Sequence, residues 1–268
     1  MGLMAGSLVK RTVPAKRRIL ARQAHGLLAG AALCAVAGAG PALAIIGGQP
    51  GGPLDSAAVM VLHDRGGICT GIVVAQDVVL TAAHCLPAGA KFRVHYREQG
   101  EAVMLEPQAI VRHPQFRANA VQERTRSIDL ALLRLAQPLP ARFSVAALAN
   151  AGTDGAGSAV TVAGFGLGRE GDGTSTGTWR SARLAVVEPY GPSRILLWAR
   201  GSAGAGACGG DSGGPMLDGS QTVVAVTTWS TGSAGRRCGD LTQGTLIGPQ
   251  RGWVDATMAR WQRQANWR

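Results

Sequence analysis

No apolar run in this 268-residue chain reaches the roughly 20 residues that span a bilayer; the stretch at 26–40 has 15. No Asp or Glu occurs in the first 44 residues, which instead carry Lys10, Arg11, Lys16, Arg17, Arg18 and Arg22. No C-x-x-C pair or close Cys/His cluster is present, which argues against a zinc site; no metal and no cofactor is expected. Internal repeats, low-complexity tracts and heptad series are all missing, which removes solenoids and coiled coils. Aromatics make up only 4% of residues, yet all six Trp lie after position 178. No histidine follows His113, which excludes any catalytic arrangement that needs a histidine late in the chain.

A basic start, a short apolar stretch and Pro41-Ala42-Leu43-Ala44 compose a secretory signal peptide over 1–44, a stronger reading than a membrane anchor. Arg17-Arg18 suits an ordinary basic n-region, because the residues after it fit a twin-arginine signal poorly. Without this segment 21 basic residues face 16 acidic ones, so the net charge is about +5 instead of +11. That excess is scattered and builds no nucleic-acid footprint. The exported chain is expected in the periplasm or outside the cell, as a monomer with no stable membrane anchor and no nucleic-acid partner. Of five cysteines, Cys34 leaves with the signal. Cys69, Cys85, Cys208 and Cys238 allow three disulfide connectivities, and their grouping favours 69–85 with 208–238.

From Ile45 onward, short β-branched runs (57–62, 71–75, 77–81, 130–135, 159–163, 194–199, 222–227) alternate with Gly, Pro and Asp clusters, the pattern of an all-β sandwich or barrel. The stretch 166–178, rich in Gly, Thr and Ser, reads as a mobile surface loop. A linker near 139–153 divides the chain into a first barrel at about 45–145 and a second at about 150–250. Trp253, Val254, Thr257, Met258 and Trp261 share one helical face, giving a terminal helix over about 253–264.

Four local patterns carry chemistry. In Gly209-Gly210-Asp211-Ser212-Gly213-Gly214-Pro215, glycines around a serine let backbone N–H groups approach an oxyanion. The string also satisfies the G-x-S-x-G nucleophile elbow, but an elbow serine needs a later histidine, and none exists. In Leu80-Thr81-Ala82-Ala83-His84-Cys85, small residues precede His84 and a half-cystine pins the next position, the rigidity a general base needs. His63, His95 and His113 sit in ordinary strand or turn contexts. Asp129 enters an apolar run, which is costly unless it is paired; a strand-start cap and a partnership with His84 both account for it. Ile45-Ile46-Gly47-Gly48 follows the signal and is weak alone. Glu98, Glu101 and Glu106 cluster in a polar loop and read as solvated.

Together "IIGG", "TAAHC", "DLALL" and "GDSGGP", in that order, with "HPQF" at 113–116 and "AGFG" at 163–166, resemble the trypsin/chymotrypsin family over residues 45–262. The resemblance implies two six-stranded antiparallel β-barrels with an active site between them. It implies Ser212 as nucleophile, His84 as general base and acid, Asp129 as its orienting partner, and the N–H groups of Gly210 and Ser212 as oxyanion hole. Asp211 would pair with a free amine at Ile45. Gly206, six before the nucleophile, would floor the primary pocket, with Thr228, Trp229 and Ser230 along the substrate and Gly244 on a wall. Thr228 replaces the family's usual serine, Ser230 its usual glycine, and further disulfides are missing.

The implied activity is that of a serine endopeptidase acting on protein or peptide substrates. A catalytically idle binding protein is the main alternative, and an esterase shares the acyl-enzyme route. No pocket position carries a charge, so uncharged side chains are expected before the scissile bond, unless Asp240 folds inward.

Overall fold

The computed structural model describes residues 45–152 and 154–268; the signal peptide expected over 1–44 lies outside the described residues. After β1 (Gln49–Pro50), seven strands make the first sheet: β2 (Ala58–His63), β3 (Gly67–Ala75), β4 (Val78–Thr81), β5 (Phe92–Glu98), β6 (Glu101–Leu105), β7 (Pro107–Arg112) and β8 (Ala131–Leu135). Its order is β6-β5-β2-β3-β4-β8-β7, entirely antiparallel, an open half-barrel. A one-turn helix, α1 (Ala120–Glu123), sits in the connection from β7 to β8.

The second sheet holds β9 (Ala147–Leu148), β10 (Ala159–Gly164), β11 (Arg180–Val187), β12 (Leu196–Arg200), β13 (Pro215–Leu217), β14 (Val223–Thr231) and β15 (Leu241–Leu246). Six of them form a ring, β13-β10-β11-β12-β15-β14, closed by pairing of β14 with β13. The all-β architecture implied by the resemblance is therefore present, with a closed second barrel.

Burial follows the strand pattern. β4 is buried along its whole length and β2 alternates near its outer end. Val73, Val79, Val94 and Leu133 fill the first sheet's interior, and Val160, Val162, Met216 and Ala225 the second's. A third cluster joins the two: Ile72, Leu80, Ile128 and Leu132 meet Leu148, Leu217, Val223 and Val226, with Val254, Met258 and Trp261.

Those last three belong to or follow α2 (Arg251–Ala259), whose inward face carries the expected residues. Gln262, at φ 56, turns the chain, and β16 (Asn266–Trp267) then runs parallel to β9. In this turn Arg263 donates from Nε and Nη2 to Asp77, at 2.7 and 2.9 Å, so the C-terminal segment clamps the β3–β4 turn of the first sheet.

Candidate active site

His84 lies in a single 3₁₀ turn, Ala83–Cys85, directly after β4. Ala82 and Ala83 are fully buried, which explains the small residues before it. Asp129, between the buried Ile128 and Leu130 just ahead of β8, grips His84 twice. Its Oδ1 accepts from the His84 backbone N–H at 2.9 Å and its Oδ2 stands 2.6 Å from Nδ1. Such a clamp fixes both the ring's orientation and a proton on Nδ1, leaving Nε2 as the acceptor. Asp129 is thus a partner of His84 and not a strand-start cap.

Cysteines join as Cys69–Cys85 and Cys208–Cys238. Cys69, His84 and Cys85 lie close enough together to suggest a metal cluster, but both sulfurs are bound in the disulfide. Cys85 Sγ stands 3.9 Å from His84 Nε2 and 3.7 Å from the Ser212 carbonyl oxygen, so one sulfur lies against both the His84 ring and the 208–214 segment.

The segment 208–214 crosses to the first sheet. Ser212 O accepts from Thr70 N at 2.8 Å, and Thr70 Oγ1 donates to Gly210 O at 2.9 Å. Gly213, at φ 86, leaves no room for a side chain, since a Cβ there would fall 2.1 Å from Thr70 O and Thr81 Oγ1. Two carbonyls then decide where two amides point. Gly209 O accepts from Leu167 N at 2.8 Å and Asp211 O from Gly214 N at 2.9 Å. In a trans peptide the N–H opposes the C=O, so the N–H groups of Gly210 and Ser212 are turned the other way. Among the described residues these two amides donate to no protein acceptor, whereas those of Asp211, Gly213 and Gly214 do. The arrangement can hold a developing oxyanion.

Asp211 is fully buried. Its Oδ1 accepts from Gly166 N at 2.8 Å and its Oδ2 from Cys208 N at 2.9 Å. Burial pushes its pKa up to about 7, against the lowering pull of the Cys208 and Gly166 amides, the Arg180 guanidinium and the Ile45 amide. Ile45 itself is buried at φ 48, a left-handed conformation unfavourable for a β-branched residue.

Gly206 N donates to Ile46 O at 3.0 Å. A Cβ on Gly206 would meet Thr242 Oγ1 at 3.0 Å, and that hydroxyl also accepts from Ala207 N at 3.0 Å. Thr242 is fully buried. Sequence reading passed over it; the signal was its place two residues before Gly244, on the same face of β15. The space a side chain at Gly244 would take is filled by Met216 Sδ. Thr228 is buried and accepts from Gln243 Nε2 at 3.1 Å. Trp229 is exposed and stacks edge-on to Trp198, and Ser230 is half-buried beside it. Asp240 pairs with Arg200 at 3.6 Å.

The remaining histidines and glutamates play other parts. His113 packs against Trp253, its pKa lowered by burial, and His95 Nδ1 meets Val103 O. Glu98 pairs with Arg142 and Glu106 with Arg93. The stretch 166–178, expected to be mobile, is tied around Ser175, whose Oγ accepts from Gly168 N and Arg169 N and donates to Asp172 O.

Residues 45–244 match the family model described as Trypsin. The chain is 31% identical over 248 residues to a trypsin-like protease of Streptomyces glaucescens, covering 83% of this chain and 89% of that one. It is 30% identical over 189 residues to trypsin iota of Drosophila melanogaster, 64% of this chain and 70% of that one. Its fold is similar to that of neuropsin, described as a serine protease expressed in the limbic system of mouse brain. The TM-score is 0.66 at 23% identity, covering 80% of this chain and all of the other.

Proposed function

The chain belongs to the trypsin family of serine peptidases, and on that premise we propose that Ser212 is its nucleophile, His84 its general base and acid, and Asp129 the group that holds His84. Ser212 Oγ attacks the scissile carbonyl carbon while His84 Nε2 takes the hydroxyl proton. The oxyanion forms against the Gly210 and Ser212 amides, and the same proton then passes to the departing amine. Water, deprotonated by His84, releases the acyl group from Ser212 by the reverse sequence. The double grip of Asp129 on His84 is the observation that carries this reading. A serine-directed fluorophosphonate tests it: the active protein takes up one label, Ser212→Ala none. Labelling of Ser212→Ala at the wild-type rate overturns the assignment.

The primary pocket is small and uncharged in this reading. Gly206 brings no side chain to its floor, the Thr242 hydroxyl narrows it, and Asp240 is engaged by Arg200. An Arg or Lys entering there would lack a counter-charge, at a cost of several kcal/mol, with each 1.4 or so worth about tenfold in rate. Small and medium apolar residues are the preferred side chains before the cut. A peptide panel varied at that position alone, compared by kcat/KM, checks this; Arg or Lys ahead of Ala and Val by tenfold would refute it.

Export removes residues 1–44 and frees the Ile45 amine for Asp211. The cut also abolishes the unfavourable torsion at Ile45, which supports this site of processing. N-terminal sequencing of the exported active protein is expected to begin at Ile45; an active species starting further upstream contradicts it.

A further inference from the structure

Arg180 opens β11, and its register partner on β10 is Gly164. Opposed residues of an antiparallel pair point to the same face, and on that face a Cβ at Gly164 would fall 2.3 Å from Asp211 Oδ1. The Arg180 side chain and the Asp211 carboxylate therefore share one side of the sheet, and each acts electrostatically on the other. Arg180 is only 7% exposed, an unusual state for a guanidinium. Its Nη1 reaches Ser175 O at 3.4 Å and Thr178 O at 3.5 Å, at the end of the 166–178 loop. The start of the same loop gives Gly166 N to Asp211 and Leu167 N to Gly209 O, the bond that leaves the Gly210 N–H turned away from the loop.

We propose that Arg180 is a positioning residue for the oxyanion loop, a permanent second counter-charge to Asp211 that keeps the loop in its reactive shape after an amine at Ile45 has lost its proton. The inference rests on the reading of Ser212 and Ile45 given above. It follows from the difference between the two cations. An α-amine has an ordinary pKa of about 8, whereas a guanidinium titrates several units higher; burial lowers the pKa of Arg180, and the Asp211 carboxylate pulls it back up. Other charged groups of the surrounding segments are engaged elsewhere: Arg169 with Asp172, Glu170 with the Arg237 amide, and Asp240 with Arg200. From the strands, the 166–178 loop and the 204–208 segment packed on Asp211, Arg180 is the charge that acts on it.

The test is kcat/KM against pH for the processed chain beginning at Ile45, with fluorophosphonate labelling of Ser212 at pH 7.5 as reference. Wild type is expected to hold kcat/KM at pH 10 within about threefold of its pH 8 value. Arg180→Gln is expected to fall at least tenfold over that interval, and Arg180→Lys to recover most of the loss at pH 9. A purely structural role would lower activity equally at all pH values. Profiles of wild type and Arg180→Gln that coincide in shape overturn the proposal. Should Arg180→Gln fail to fold, carbamylation of the Ile45 amine in wild type decides: labelling that persists within tenfold supports the role of Arg180, and labelling that is abolished refutes it. Wild type that takes no label at pH 7.5 signals failure of the underlying assignment of Ser212, a result separable from every other.

Discussion

His84 and Asp129, both carried by the first sheet, meet as side chains whose exposures are 38% and 18%. Asp211, carried by the second, is sealed from water and gripped by backbone amides from 166 and 208. The first pair is complete once β4 and β8 have paired, because Thr81 and Ala131 are register partners and each functional residue lies within three positions of them. The second depends on a buried charge, and a buried charge holds its place only while something compensates it. One half of the site is thus fixed by sheet register, and the other is conditional on its counter-ions.

Mutations can break this comparison at different depths. Ser212→Ala or His84→Ala removes the chemistry itself, and kcat is expected to fall by about 10⁶-fold. Asp129→Asn leaves the ring in place with the wrong tautomer, for a loss of about 10⁴ measured on the same peptide. Asp211→Asn should act through the oxyanion amides alone and lower kcat by about 10²–10³ with little change in KM. An Asp211→Asn loss as large as that of His84→Ala would erase the distinction between the halves.

The conditional half can be probed by pH. In a chain still joined to residues upstream of Ile45, Asp211 has a pKa raised from 3.8 to about 7. A carboxyl raised in the folded state contributes stability below its unfolded pKa and loses it as pH climbs through the folded value. The uncut protein is therefore expected to melt about 5 °C lower at pH 8 than at pH 5, and Asp211→Asn should remove most of that difference. Equal slopes for wild type and Asp211→Asn would assign the effect to other groups. Smallest of all is the pocket: Thr242→Gly should raise kcat/KM for Leu or Phe over Ala by about tenfold, with hydrolysis of an Ala substrate near its original rate.

The difference between the halves also explains what the sequence disclosed. His84, Asp129 and the 209–215 segment are short contiguous strings, so their residue types announce themselves. The β-rich class was legible from run lengths and turn residues, but the ring closure of β14 on β13 is a matter of long-range register that no local run encodes. Arg180 reads in the sequence as one more surface arginine, because only its pairing opposite Gly164 turns it toward Asp211. Thr242 is similarly silent, its role depending on the Ala207 amide 35 positions away. The 166–178 loop looked mobile because its composition is that of a linker; the single hydroxyl of Ser175, buried and making several bonds, overrides composition.

The clamp between Arg263 and Asp77 joins positions 186 apart in the chain. Contacts of such separation close the longest loops in the chain and carry the largest closure entropy. The sheet that carries His84 and Asp129 is therefore fastened at its β3–β4 turn by the far end of the chain, and loss of residues 263–268 would free that turn.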